Sequence, residues 1–152
     1  MLSPMILMAL AAIAVLAFAS IRRIPEGQVY TLRRVGGHTR VMHSGMHLML
    51  PLLERVAHKI SLTGANVPVD GLVDSDRLYR GVIYFQVMDP ERADRVIDTV
   101  DGLLQSRTRS LFADASLPDS ADGRRQWLKQ SLNSDMRERG LLVTRVDLNA
   151  VN

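Results

Sequence analysis

The 152-residue sequence predicts an α+β fold: one N-terminal membrane-spanning helix, then a domain of short antiparallel strands, helices and a closing strand. Three observations carry the prediction. Residues 1–21 contain no charged side chain. Between residues 27 and 88, runs of β-formers are separated by glycines. From Asp89 onward apolar residues recur at helical spacing, until Gly140 introduces a last β-rich run. Two regions follow: a transmembrane signal anchor over 1–21 and a folded domain over 22–150.

As a helix, residues 1–21 extend about 31 Å, close to the thickness of a bilayer's hydrocarbon core. Only Ser3, Pro4 and Ser20 interrupt them, and Arg22 and Arg23 end the run. A retained anchor competes with a cleaved signal peptide, because Ala17-Phe18-Ala19 has the small-x-small form of a cleavage site. The lack of a basic residue before the run and its long unbroken core favour the anchor. With Arg22 and Arg23 placed after the helix, the positive-inside rule puts a single-pass protein in the cell membrane with its C-terminal domain in the cytoplasm. Cleavage would instead release a secreted or periplasmic binding domain.

Residues 28–35 form the first strand, Gly36-Gly37 a tight hairpin turn and 38–42 the return strand. Ser44-Gly45 turns again, and 46–50 runs out to Pro51. Strands at 56–62 and 65–69 follow, with Gly64 between them. Residues 78–88 (LYRGVIYFQVM) are the strongest strand, and the near-continuous apolar run 82–87 predicts burial on both faces. Asp89-Pro90 starts a helix, since aspartate caps free amides and proline fits the first helical position. Ala93, Val96, Ile97, Val100 and Leu104 then make one apolar stripe, with helix resuming after Gly102 to about residue 115. Residues 117–123 (LPDSADG) read as a loop. A second helical segment covers 124–139, with Leu128, Leu132 and Met136 at i, i+4 and i+8 and Gly140 as its stop. Residues 141–148 are the closing strand.

The chain is 47% hydrophobic, 23% charged and only 5% aromatic. With no cysteine, disulfides, thiolate metal sites, a cysteine nucleophile and palmitoylation are excluded. The net charge of +3 is unevenly spread. Residues 22–60 hold Arg22, Arg23, Arg33, Arg34, Arg40, Arg55 and Lys59 against Glu26 and Glu54, a balance of +5. Residues 61–152 hold 12 basic and 14 acidic residues, a balance of −2.

The order of landmarks resembles the stomatin/prohibitin/flotillin (SPFH, or band 7) family. The segment IRRIPEGQVYTLRRVGGHTRVMHSGMHLMLPLLERV, with Pro25, Glu26, Gly27, Gly36, Gly45, His47 and Pro51, is similar to the family's opening after its membrane segment. VIYFQVMDPERA resembles the family's strand and Asp-Pro helix start, and LNSDMRERGLLVTRVDL its closing helix-glycine-strand. The match runs over residues 21–148 in the right order. The resemblance implies a non-enzymatic scaffold that self-associates at a membrane, organises lipid and regulates a neighbouring membrane protein such as a protease or channel. The family usually continues into a long coiled coil that closes rings or cages. This sequence stops four residues beyond the closing strand. Small or salt-sensitive oligomers are therefore expected, with Trp127, Leu128 and Leu132 as contacts and Trp127 as the hot spot.

Residues 46–53 are apolar except for His47 and Pro51, too short to cross a bilayer and broken by proline. A strand without polar alternation buries both faces, and two environments satisfy that. In one, Met46, Leu48, Leu50, Leu52 and Leu53 dip into the lipid interface while Arg33, Arg34, Arg40 and Arg55 meet anionic headgroups, at about 1 kcal/mol each. In the other, the segment is a core strand of a small β-subdomain.

Catalytic and metal chemistry find little support. His38, His43, His47 and His58 cluster in sequence but on different predicted strands and turns, without metal-ligand spacing. Asp70, Asp74 and Asp76 suggest a calcium loop, but Ser75 and Gly81 stand where an EF-hand needs glycine and glutamate, so a solvated turn is expected. No phosphate loop or nucleophile elbow is present. Arg107, Arg109, Arg124 and Arg125 lack interleaved aromatics and are nearly balanced by acids, so no nucleic-acid partner is expected. No cofactor or metal and no enzymatic activity are expected.

Overall fold

The computed structural model describes residues 3–50, 53–74, 77–114 and 116–151. Over these residues the chain forms four helices and eight strands, an α+β architecture. It divides into two compact units after Lys59.

The first unit opens with α1 (Pro4–Ser20). Pro4 occupies the first turn, where its missing N–H costs nothing. The Ser20 hydroxyl donates to the Leu16 carbonyl in the last turn (2.7 Å). The helix stops at Ser20, because Ile21 is extended and opens β1 (Ile21–Ile24). This strand, which the sequence reading missed, pairs antiparallel with β4 (Gly45–Leu48) in the register Ile21↔Leu48 and Arg23↔Met46. A three-stranded sheet has the order β3-β2-β5, from β2 (Gln28–Arg34), β3 (Thr39–Met42) and β5 (Glu54–Ser61). The β2–β3 hairpin turns at Gly36 and Gly37, both at positive φ, as the double glycine predicts. Ile24, Leu32, Met42 and Met49 form a small core, with Tyr30 and Val56 packed against it.

The 17 residues of α1 extend about 26 Å, short of the roughly 30 Å hydrocarbon core. Among the described residues no helix is long and apolar enough to cross a membrane. The transmembrane anchor expected over residues 1–21 is thus unsupported: strand pairing takes Ile21, and Met1 and Leu2 lie outside the described residues.

The second unit is a sheet of order β6-β7-β8 with helices on one face. Its strands are β6 (Ala65–Asp74), β7 (Arg77–Val87) and β8 (Leu141–Val151), all antiparallel. The helices α3 (Val100–Phe112) and α4 (Ala121–Met136) pack on β6 and β8 respectively and on each other. Between them and the sheet lie Val67, Val69, Leu72, Ile83, Phe85, Leu104, Phe112, Leu128, Leu132, Met136 and Val143. Asp89 caps the short α2 (Pro90–Ala93), its carboxylate accepting from the Glu91 and Arg92 amides, as the Asp-Pro pair predicts.

Three expectations for this unit need correction. The run 82–87 is not buried on both faces: Ile83, Phe85 and Val87 face the helices, while Val82 and Tyr84 are half-buried and Gln86 is exposed. The stripe from Ala93 to Leu104 is not one helix. A 3₁₀ turn at Ile97–Thr99 separates α2 from α3, in a stretch where β-branched Val96, Ile97 and Thr99 crowd a helical backbone. Gly102 lies inside α3 without breaking it. Finally, β6 continues through Asp74 past a bulge at Gly71 (φ +74°), so Asp70 and Asp74 are strand residues rather than a solvated turn. Asp70 pairs with Arg80, Asp74 with Arg124, and Asp76 lies outside the described residues.

Candidate membrane-facing site

An apolar helix inside a protein buries at least one stripe of its surface. In α1, Met5, Met8, Leu10, Ile13, Val15 and Phe18 are all exposed, and these positions run around the whole helix. The apolar surface continues into the ribbon. Cross-strand partners share a face, so Ile21, Leu48, Met46 and Arg23 line one side of β1–β4. On that side Met46 is 73% and Leu48 70% exposed. The other side holds Ile24, which is buried. Over its described residues the apolar segment 46–53 is therefore not a core strand in this fold. Met49 enters the small core, but Met46, Leu48, Leu50 and Leu53 are exposed; Leu52 lies outside the described residues.

The chain leaves this surface through a buried carboxylate. The Glu54 side chain is only 3% exposed. Its Oε1 is 3.2 Å from Arg34 Nη2 and 3.8 Å from Arg40 Nη1, and its Oε2 accepts from the Leu50 amide at 3.3 Å. Main-chain bonds close the same turn: the Glu54 amide donates to the Leu50 carbonyl (2.8 Å) and the Val35 amide to the Leu53 carbonyl (3.1 Å). Strand alternation divides the four arginines expected to share one surface. Leu32 and Arg40 are cross-strand partners, so Arg34 and Arg40 lie on the face of β2 that carries Leu32. Arg33, paired with Thr39, lies on the opposite face. Arg33 and Arg55 make no salt bridge among the described residues, whereas Arg34 and Arg40 share Glu54.

The expected oligomer contacts stand differently. Leu128 and Leu132 are sealed in the core of their own unit and have no surface to offer a neighbour. In this fold α4 turns that stripe toward the sheet. Trp127 is half-buried against the same core. Sequence reasoning also missed Asn133, whose amide group clamps Val143: Nδ2 donates to the Val143 carbonyl (3.0 Å) and Oδ1 accepts its N–H (2.8 Å). The only signal was a polar residue beside the apolar stripe of α4.

The four arginines considered for nucleic-acid contact have partners within the chain. Arg124 is 12% exposed and donates to the Pro118 carbonyl and the Tyr79 hydroxyl while pairing with Asp74. Arg125 binds Asp122 and the Leu148 carbonyl, Arg107 pairs with Asp135, and Arg109 donates to the Asp70 carbonyl. Arg77, Arg124 and Arg125 line a cleft of about 430 Å³ with Tyr79 and Asn149. Among the described residues no group of three His, Asp or Glu side chains is placed to hold a metal ion, and the His47 ring bonds the His43 carbonyl (2.8 Å).

Fold and surface together define a two-unit α+β chain with an exposed apolar helix and ribbon at one end of its sequence. No protein-family model matches the chain. It is 28% identical over 103 residues to stomatin-like protein 2, mitochondrial, of Homo sapiens, and to the same degree to the Bos taurus protein. That match covers 62% of this chain and 29% of the relative. An uncharacterized protein of Mycobacterium tuberculosis is 26% identical over 145 residues, covering 88% of this chain and 38% of that protein. The chain thus spans less than a third of the length of its stomatin-like relatives. The similarity is distant and points the same way as the SPFH resemblance of the sequence landmarks.

Proposed function

We propose that the chain is a non-enzymatic, membrane-attached scaffold module that docks on lipid through α1 and the β1–β4 ribbon and meets further copies of itself there. One observation supports this most: an apolar helix exposed on every side runs without a linker into an exposed apolar ribbon. Contiguous apolar surface of this kind is costly in water and favourable in a bilayer. The helix is short for the hydrocarbon core, so spanning would require local thinning of the bilayer. The basic excess of residues 22–60 lies next to the helix, where anionic headgroups would attract it. The stomatin-like similarity supports the same class of function, and the SPFH resemblance suggests a membrane protease or channel as the regulated neighbour.

Vesicle flotation of the full chain tests the attachment. Flotation with phosphatidylcholine vesicles that resists alkaline carbonate supports an inserted α1, and a chain left at the bottom of the gradient sinks the proposal. Intact mass supplies a second check, because loss of residues 1–19 would mean that α1 is not part of the working protein. A reporter fused after Asn152 is expected to be active only in the cytoplasm, and periplasmic activity would reverse the topology.

A further inference from the structure

The two guanidinium groups that share Glu54 form something more specific than a basic patch. Arg34 and Arg40 come from different strands, yet both approach the same oxygen, Glu54 Oε1, at 3.2 and 3.8 Å. Each is a planar group with five donors. Each contacts the carboxylate through one terminal nitrogen and remains 54% and 58% exposed. The carboxylate is buried and cannot rotate away without losing the Leu50 amide, so it fixes where both forks sit. Their unused donors stay open to solvent. Beside them, joined through the main-chain bonds of the turn, are the exposed apolar side chains of Val35, Leu50 and Leu53.

We infer that Arg34 and Arg40, positioned by Glu54, are a clamp for the phosphate of an anionic phospholipid, whose acyl chains lie along Val35, Leu50 and Leu53. A phosphate needs several donors converging from more than one direction, which two pre-positioned guanidinium groups supply. Two arginines against one glutamate leave a local excess of one positive charge to attract it. Leucine and valine surface at the same spot matches a ligand that is charged at one end and apolar at the other. Free phosphate would use only the first half of this site. Arg33 and Arg55, with no carboxylate among the described residues to fix them, contribute long-range attraction instead. The inference rests on the membrane-attached reading above and names the lipid class that reading leaves open.

The test is calorimetric titration of the full chain in neutral detergent with dihexanoylphosphatidylglycerol, dihexanoylphosphatidylcholine and inorganic phosphate. The expected result is binding of the glycerol lipid at least about tenfold tighter than either of the others, because phosphatidylcholine carries the same phosphate with a quaternary ammonium that the local positive excess repels, and inorganic phosphate has no acyl chains for the apolar side chains. Arg34→Lys combined with Arg40→Lys keeps every charge, and the chain still folds around Glu54, but the fork is lost. That double variant is expected to bind the glycerol lipid about tenfold more weakly, whereas Arg33→Lys with Arg55→Lys stays within about twofold of wild type. Wild-type binding by the Arg34/Arg40 lysine pair would overturn the clamp in favour of charge alone, and a loss confined to the Arg33/Arg55 pair would move the site to the other face. Inorganic phosphate binding as tightly as the lipid would overturn the lipid assignment. If the two lipids bind equally while the chain still floats with vesicles, the clamp fails and the attachment stands; a chain that never floats removes the attachment itself.

Discussion

At Gly140 two requirements meet in one residue. Its φ of +75° is a conformation that residues with a Cβ rarely adopt, and a Cβ there would lie 2.4 Å from the Asp89 carbonyl oxygen. Its own carbonyl accepts from the amides of Met88 and Asp89, so it cannot step aside. Gly140→Ala is expected to destabilise the second unit by about 3 kcal/mol or more, read as a lowered urea midpoint with an unchanged slope. Asn133→Ala leaves both main-chain groups of Val143 without their partner and should cost about 1–3 kcal/mol by the same measurement. Asp114 offers a finer probe. Its carboxyl is held below the usual aspartate range by the Ser116 amide first and the Ser116 hydroxyl second. A lowered native pKa adds stability that is present above the unfolded value of about 4 and is lost as pH falls through the native value. In Ser116→Ala the Asp114 titration followed by NMR should move up only part of the way, because the larger cause, the amide, remains.

Among the elements, those whose signal is local were legible. The Gly36-Gly37 hairpin, the Asp89-Pro90 cap and the stop at Gly140 each depend on one or two residues, and each stands where the sequence places it. The start of α4 was missed by three residues because Ser120, which accepts from the Gly123 amide, is its cap. Two errors came from pairing, which no local pattern encodes. Strand β1 exists because β4 offers it an edge, and β6 runs to Asp74 because β7 does. The segment 46–53 shows the limit most clearly: its composition fits a core strand and an exposed one equally, and only the ribbon's register assigns Met46 and Leu48 to an open face. The distinction is measurable. Met46→Asp with Leu48→Asp should change unfolding free energy by no more than about 1 kcal/mol while lowering vesicle retention. Leu32→Ala, in the small core of the same unit, should cost about 2–4 kcal/mol. A double aspartate variant that fails to fold would refute the exposed-face assignment.

For the molecule as a whole, the charge division between residues 22–60 and 61–152 would separate two contributions to the proposed membrane binding. Apolar insertion of α1 is insensitive to salt, whereas attraction of the basic segment to anionic lipid is screened over roughly 10 Å at 0.1 M and roughly 3 Å at 1 M. Flotation with phosphatidylcholine vesicles should therefore be unchanged between low and high salt. The additional retention conferred by phosphatidylglycerol should disappear at high salt. Self-association is expected to draw on surfaces other than the stripe of α4, which is consumed inside the unit. Trp127→Ala thus tests a residue that serves the core as well as any neighbour, and mass photometry must be read beside its unfolding curve. A monomeric wild type in detergent would remove the scaffold reading.

One consequence of the junction at Ser20 is mechanical. The Ser20 carbonyl accepts from the Met49 amide at 2.8 Å, and the next residue is already paired in the ribbon. There is no slack between rod and ribbon, so on the proposed attachment a tilt of α1 in a bilayer of different thickness would be transmitted as a rotation of β1 and β4 rather than absorbed. Four flexible residues inserted after Ser20 should act as a universal joint. Vesicle attachment would survive in such a variant, while an infrared or fluorescence measure of ribbon orientation would no longer follow the length of the lipid chains.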